Sequence, residues 1–129
     1  MIKVYNPECV YSIFPDFDKR FKLKPCHLLY VLYVDDIPVS CLAIAKEGKK
    51  YIKIHGAFTP VRFRKKGFFT ALLEEICLTY SGYCIKADCL CDSIGVFLKC
   101  GFQFIRKKYC NNYTLYQTAK EPKYGKTEN

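Results

Sequence analysis

The sequence predicts a single α+β domain built on a mixed, mostly antiparallel sheet with one βαβ unit at its centre. Three observations carry that prediction. Short β-branched and aromatic runs follow one another between turn residues in the first half of the chain. The segment "FFTALLEEICLTY" (68–80) has helical spacing. A short apolar run, "YCIKADC" (83–89), follows it directly, as a crossover back into the sheet requires.

Each element has a local reason. Residues 1–25 are punctuated by Pro7, Pro15 and Pro25, which argues against long helices there. "LLYVLYVDD" (28–36) is an apolar run that ends in the turn Asp35-Asp36-Ile37-Pro38, and "VSCLAIA" (39–45) completes a hairpin. "KEGKK" reads as a second turn and "YIKIHGAFT" (51–59) as a third strand. In the helix, apolar residues fall at 68, 69, 72, 73, 76 and 80, with Glu74 and Glu75 opposite and Ser81-Gly82 as the stop. "DSIGVFLKCG" (92–101) suits a short helix capped by Asp92 or Ser93 and stopped by Gly101. "FQFIRKKY" and "NYTLYQ" read as a terminal hairpin joined near Asn111-Asn112. The domain is expected to span 1–117, and 118–129 to be a disordered tail.

Composition bounds the function. With 129 residues, half of them apolar and 16% aromatic, the chain can bury one core and is no disordered basic tail. The net charge of +9 calls for a polyanionic partner: a phosphate-rich cofactor, nucleic acid or an acidic protein face. The nine cysteines are odd in number and irregularly spaced, and no Cys-x-x-Cys pair occurs. Met1-Ile2-Lys3-Val4-Tyr5-Asn6-Pro7 is no signal peptide, and the longest apolar runs, about eight residues, are too short for a membrane span. The expectation is a cytoplasmic protein with reduced, mostly buried thiols, no metal and no membrane contact.

The segment "TPVRFRKKGFF" (59–69) concentrates Arg62, Arg64, Lys65 and Lys66 in front of Gly67. A glycine-containing loop that opens a helix after a strand presents backbone N–H groups and the positive end of the helix dipole. Gly67 lets backbone approach a phosphate closely, and the cations add charge, so the loop reads as a diphosphate cradle. It is neither a Walker A loop nor a dinucleotide fingerprint, having a single glycine. Charge alone does not separate this cradle from a solvated basic turn.

The stretch "FTPVRFRKKGFFTALLEEI" resembles the acyl-CoA-binding motif of the GNAT N-acetyltransferase superfamily, Arg/Gln-x-x-Gly-x-Gly/Ala. Arg64, Lys65, Lys66 and Gly67 fall on its first four positions, and Phe69 replaces the final small residue. "ADCLCDSIGVFLKCGF" resembles that superfamily's next segment, which closes on Lys-x-Gly-Phe, here Lys99-Cys100-Gly101-Phe102. The resemblance covers roughly residues 28 to 117, with a shortened N-terminal region. It implies a GNAT-like sheet with helices on both faces, and acetyl-CoA or a related acyl-CoA as co-substrate. It also implies direct acyl transfer to an amine, with no cysteine nucleophile. The implied coenzyme contacts are Ala57, Phe58, Thr59, Arg62, Arg64, Lys65, Lys66, Gly67, Phe68, Phe69, Thr70, Ser93 and Phe97.

The pattern has departures. Phe97 stands where the superfamily often has a tyrosine that protonates the leaving thiolate, which leaves that acid to Tyr109, Tyr113 or water. Leu90 stands where an asparagine is common, and the strand before the loop lacks the usual glutamate base. That strand carries His55, on one face with Lys53, Ala57 and Thr59, and histidine titrates near neutrality. His55 is therefore the candidate base, beside the reading of an ordinary half-buried strand histidine. Asp88 and Asp92 are alternative bases or substrate anchors, and His27 has no motif around it. The acceptor amine is expected on a small molecule, a protein or a nucleic acid. A looser resemblance, to Mom-type phage DNA-modification proteins, implies an adenine acceptor and contact with DNA. A third alternative is a non-catalytic binding module that keeps the fold.

Overall fold

The computed structural model describes residues 1–17, 22–90, 94–107 and 112–117. The chain divides into two compact units: Met1–Ala45 with Ile54–Leu72, and Lys46–Lys53 with Leu73–Asn129.

In the first unit the strands run in the order β1 (Ile2–Tyr5), β2 (Leu28–Val34), β3 (Ile37–Gly48, through Ala45) and β4 (Tyr51–Phe58, from Ile54). β1 was not foreseen in the proline-punctuated opening; it pairs antiparallel with β2 from Ile2↔Leu32 to Tyr5↔Leu29. The β2–β3 turn puts Asp35 at φ 51° and Asp36 at φ 64°. Both residues are left-handed, the geometry of a two-residue hairpin whose twist matches its strands, and aspartate tolerates it. The register shifts between Leu32 and Tyr33, so that Pro38 sits beside a bulge, where its missing N–H costs no ladder bond.

β3 continues to Gly48, so the segment expected as a five-residue turn is mostly strand. Only Lys49 and Lys50 turn the chain, with Lys50 left-handed at φ 63°. β2 and β3 are buried along runs rather than at alternate positions, because both faces of these strands are covered. One covering layer is a 3-10 turn (Pro7–Cys9) and the short helix α1 (Val10–Ile13), followed by Phe14 and Phe17. With Leu29, Val31, Cys41 and Ala43 these residues make one core cluster. The long helices excluded by sequence are absent from the described part of this region.

The helix α2 (Phe68–Thr79) matches its sequence pattern: Leu72, Leu73 and Ile76 are buried, and Glu74 and Glu75 are exposed. Gly82, at φ 87°, stands in the turn beyond its end.

In the second unit the opening residues of β4 (Tyr51–Lys53) neighbour β5 (Cys84–Leu90), and β5 is followed in space by β7 (Asn112–Gln117) and β6 (Gln103–Lys107). The Cys84 N–H donates to the Lys50 carbonyl at 2.9 Å, and the Lys53 Nζ lies 3.2 Å from Asp88 Oδ2. Both contacts advance in the same direction along the two strands, as the parallel pairing of a βαβ unit requires. β5–β7 and β6–β7 are antiparallel, which makes the closing hairpin the sequence indicates.

The helix α3 (Ile94–Lys99) ends in a Schellman motif. The Phe102 N–H donates to the Phe97 carbonyl and the Gly101 N–H to the Leu98 carbonyl, both at 3.1 Å, with Gly101 at φ 89°. The Phe97 and Phe102 rings meet edge to face at 5.1 Å, the apolar contact that accompanies this cap. Lys99-Cys100-Gly101-Phe102 is thus a helix stop with its own packing. No helix among the described residues is long and apolar enough to cross a membrane.

Gly101→Ala forces a Cβ into the left-handed region and is expected to lower stability by about 1–2 kcal/mol, read from urea unfolding. An unchanged midpoint would contradict the cap.

Candidate active site

The site is built on the end of β4. Ile52, Ile54 and Gly56 are buried while Lys53, His55 and Ala57 are half-buried, so the alternation read from sequence holds and His55 shares a face with Ala57. Phe58 turns into the core, with its ring edge to face with Phe14 at 5.8 Å and with Phe17 at 5.9 Å.

The next residues leave the strand under side-chain control. Ser40, fully buried on β3, has its Oγ 2.7 Å from Thr59 Oγ1 and donates to the Phe58 carbonyl at 3.4 Å. Pro60 then opens a 3-10 turn (Val61–Phe63), in which the Phe63 N–H donates to the Pro60 carbonyl at 2.8 Å. Arg64 closes the segment: its Nε donates to the Thr59 carbonyl at 2.7 Å. One edge of the guanidinium is therefore a brace for the loop.

Lys65 follows at φ 62° and Gly67 at φ 82°. Left-handed residues this closely spaced turn successive N–H groups toward one concavity, the geometry of an anion-binding nest. The Gly67 carbonyl accepts from the Ala71 N–H at 3.0 Å, so α2 begins immediately after it. The opening turn of α2, Phe68, Phe69 and Thr70, directs its N–H groups out of the helix. A Cβ built on Gly67 meets nothing within 4 Å, so the mouth of the nest is open. Arg62, Arg64, Lys65 and Lys66 are all exposed around it. The Arg62 guanidinium lies 4.7 Å over the Phe63 ring, which meets Phe68 at 6.2 Å. A cleft of about 240 Å³ opens beside the loop, lined in part by Val34, Ile37, Phe63 and Phe68 with Arg62 and Lys66.

The expected loop residues Ala57 to Thr70 are thus brought together in the first unit. Two other expected site residues, Asp92 and Ser93, lie outside the described residues, as does Tyr109. Phe97 is 2% exposed within the α3 cap contact. Asp88 is held by Lys53 in the second unit. Sequence reasoning missed Ser40 and Cys41, which hold the backbone of Phe58, and it missed His27. His27 is buried and its ring stacks on His55 with centroids 4.5 Å apart and 24° between planes. The available signal for His27 was Lys24-Pro25-Cys26-His27, a turn sequence with proline in its second position. Among the described residues no three histidine, cysteine or acidic side chains gather as a metal site.

This arrangement has the fold of the GNAT acetyltransferases. A Bacillus subtilis acetyltransferase solved in complex with CoA superposes with a TM-score of 0.70 at 14% identity, covering 91% of this chain and 97% of the other. A spermidine N-acetyltransferase chimera from Vibrio cholerae and the human enzyme gives a TM-score of 0.72 at 7% identity, covering 92% and 96%. Ard1 from Thermoplasma volcanium gives 0.66 at 16% identity, covering 94% and 98%. No protein-family model and no curated protein matches the sequence.

Burial pushes the Cys41 thiol up to about 12, against an opposing hydrogen bond from the Phe58 backbone. A thiol whose pKa is higher folded than unfolded contributes stability that is complete below pH 9 and is lost between pH 9 and about 12. The urea-unfolding free energy is therefore expected to fall between pH 8 and pH 10 by about 1.4 kcal/mol more in the wild type than in Cys41→Ala. Tyr33, raised to about 12 by partial burial and its bond to Tyr5, titrates in both proteins and cancels from the difference. Equal losses in the two proteins would show that Cys41 is not held as a buried thiol.

Proposed function

We propose that this chain is an acyl-CoA-dependent N-acyltransferase that passes an acetyl group directly from acetyl-CoA to an amine. The observation that carries the reading is the nest at Lys65–Gly67 opening straight into α2, ringed by four exposed cations. A diphosphate fits such a loop because N–H groups, helix dipole and side-chain charge all favour the same anion. The open space at Gly67 leaves room for backbone to meet phosphate oxygens. Likeness to solved acetyltransferases, one of them holding CoA, supports the same ligand.

Bound acetyl-CoA supplies the activated acyl group. Arg62, Arg64, Lys65 and Lys66, with the N–H groups of Gly67 to Thr70, hold its phosphates. Backbone N–H groups near Ala57 to Thr59 polarise the thioester carbonyl. His55 takes one proton from the acceptor ammonium, which frees the nitrogen lone pair to attack the carbonyl carbon. The carbon–sulfur bond then breaks, the nitrogen gives up its second proton to water to become the neutral amide, and the departing thiolate regains a proton, from water or a tyrosine. The acceptor class extends from polyamines to protein α-amines, and a base edge in DNA belongs in the same assay.

Calorimetric titration with acetyl-CoA is expected to show micromolar binding that weakens with salt and with loss of the coenzyme's 3′-phosphate. Gly67→Glu, which adds a carboxylate to the nest, is expected to abolish binding. Gly67→Ala separates charge from backbone strain. Unchanged affinity in folded Gly67→Glu protein would end the cradle assignment. Binding with no transfer to spermidine, a peptide α-amine or an oligonucleotide would identify a binding module instead.

A further inference from the structure

His27 has no part in the transfer proposed above, yet its own turn holds it in place beside His55. Lys24-Pro25-Cys26-His27 is a turn closed twice. The His27 N–H donates to the Lys24 carbonyl at 2.9 Å, and the Lys24 N–H donates to His27 Nδ1 at 3.0 Å. Pro25 presets the second turn position. A ring nitrogen that accepts an N–H carries no proton, so the His27 ring is the neutral Nε2–H tautomer. Protonating Nδ1 would break the turn bond at a residue only 3% exposed. The ring is therefore locked in position by its own turn and in charge by the bond it accepts. Its face lies against the half-buried His55 ring, 4.5 Å away and 24° from parallel.

We infer that His27 is a positioning residue for His55: a turn-locked, neutral platform that helps hold the plane of the His55 ring. The role rests on the acyl-transfer reading, in which His55 removes the proton of the acceptor ammonium. A ring face stacked on it narrows the rotation of the β4 imidazole about χ2, and small misplacements of a base are costly in rate. The platform's neutrality matters as well. His55 becomes an imidazolium during the step, and a second cation 4.5 Å away would oppose it. The neutral tautomer of His27 places no such charge there.

Two substitutions separate stack from turn. His27→Phe keeps a ring face and loses the turn bond, whereas His27→Asn keeps an acceptor for the Lys24 N–H and loses the stack. The assay is transfer from acetyl-CoA to spermidine or to a peptide α-amine, whichever the wild type acetylates. Expected are a kcat lower by about 10-fold in His27→Asn and within about 3-fold of wild type in His27→Phe, with KM for acetyl-CoA unchanged in both. A merely structural histidine would give the opposite order, with His27→Phe the worse, and that result overturns the inference. Long-range proton–nitrogen NMR of the unliganded wild type is expected to show His27 protonated on Nε2 alone at neutral pH. A proton on Nδ1 overturns the inference without any assay. A wild type that binds acetyl-CoA but acetylates neither amine removes His55 as base and His27 with it, while coenzyme binding stands. Failure to bind acetyl-CoA removes the acyl-transfer reading itself and, with it, this role.

Discussion

Between the end of β4 and the start of α2 the backbone has to change from extended strand to helix while keeping its N–H groups available, and most of the site follows from how it does so. The Arg64–Thr59 bond fixes the span of the loop, and Lys65 and Gly67 take the left-handed conformations that let the chain re-enter as a helix. A non-glycine residue at φ 62° is a local cost, borne here by a lysine. That cost is offset within a braced loop between a buried strand and a helix whose inward face is Leu72, Leu73 and Ile76. The left-handed turn at Lys65 and Gly67 is part of this economical strand-to-helix connection.

The same logic recurs at the other end of helix structure. α3 stops through Gly101 and a pair of Schellman bonds, sealed by Phe97 on Phe102. A motif that could be mistaken for a binding signature is, in this chain, first a helix terminus with an aromatic lock. Phe97 is buried in that contact, so its ring has a packing role.

The β4 side of the site depends on residues distant in sequence. Ser40 and Cys41 of β3 hold the backbone of Phe58, and Ser40 also meets the hydroxyl of Thr59. His27 faces His55 from a proline turn. In each case a residue outside the loop decides how a residue of β4 is presented. The thiol of Cys41 acts as a small buried hydrophobe with one backbone contact, which explains one cysteine of the nine without redox or metal chemistry.

What the sequence determined by itself was whatever local periodicity and turn chemistry dictate. The α2 pattern, the Asp35-Asp36 hairpin, the Gly101 stop and the closing hairpin were all legible, because each is a relation among residues a few positions apart. The basic loop ahead of α2 stands out in the sequence for the same reason: cations, glycine and helix start lie in one continuous stretch. Tertiary structure alone decided β1, the extension of β3 to Gly48, the Ser40–Thr59 contact and the His27–His55 stack. These depend on strand register and on the packing of α1 and the Pro25 turn against the sheet, and register depends on the whole pairing rather than on any single residue. His55 looked solitary in sequence because its neighbour arrives from another strand's entry turn, and only the folded chain brings the two rings together.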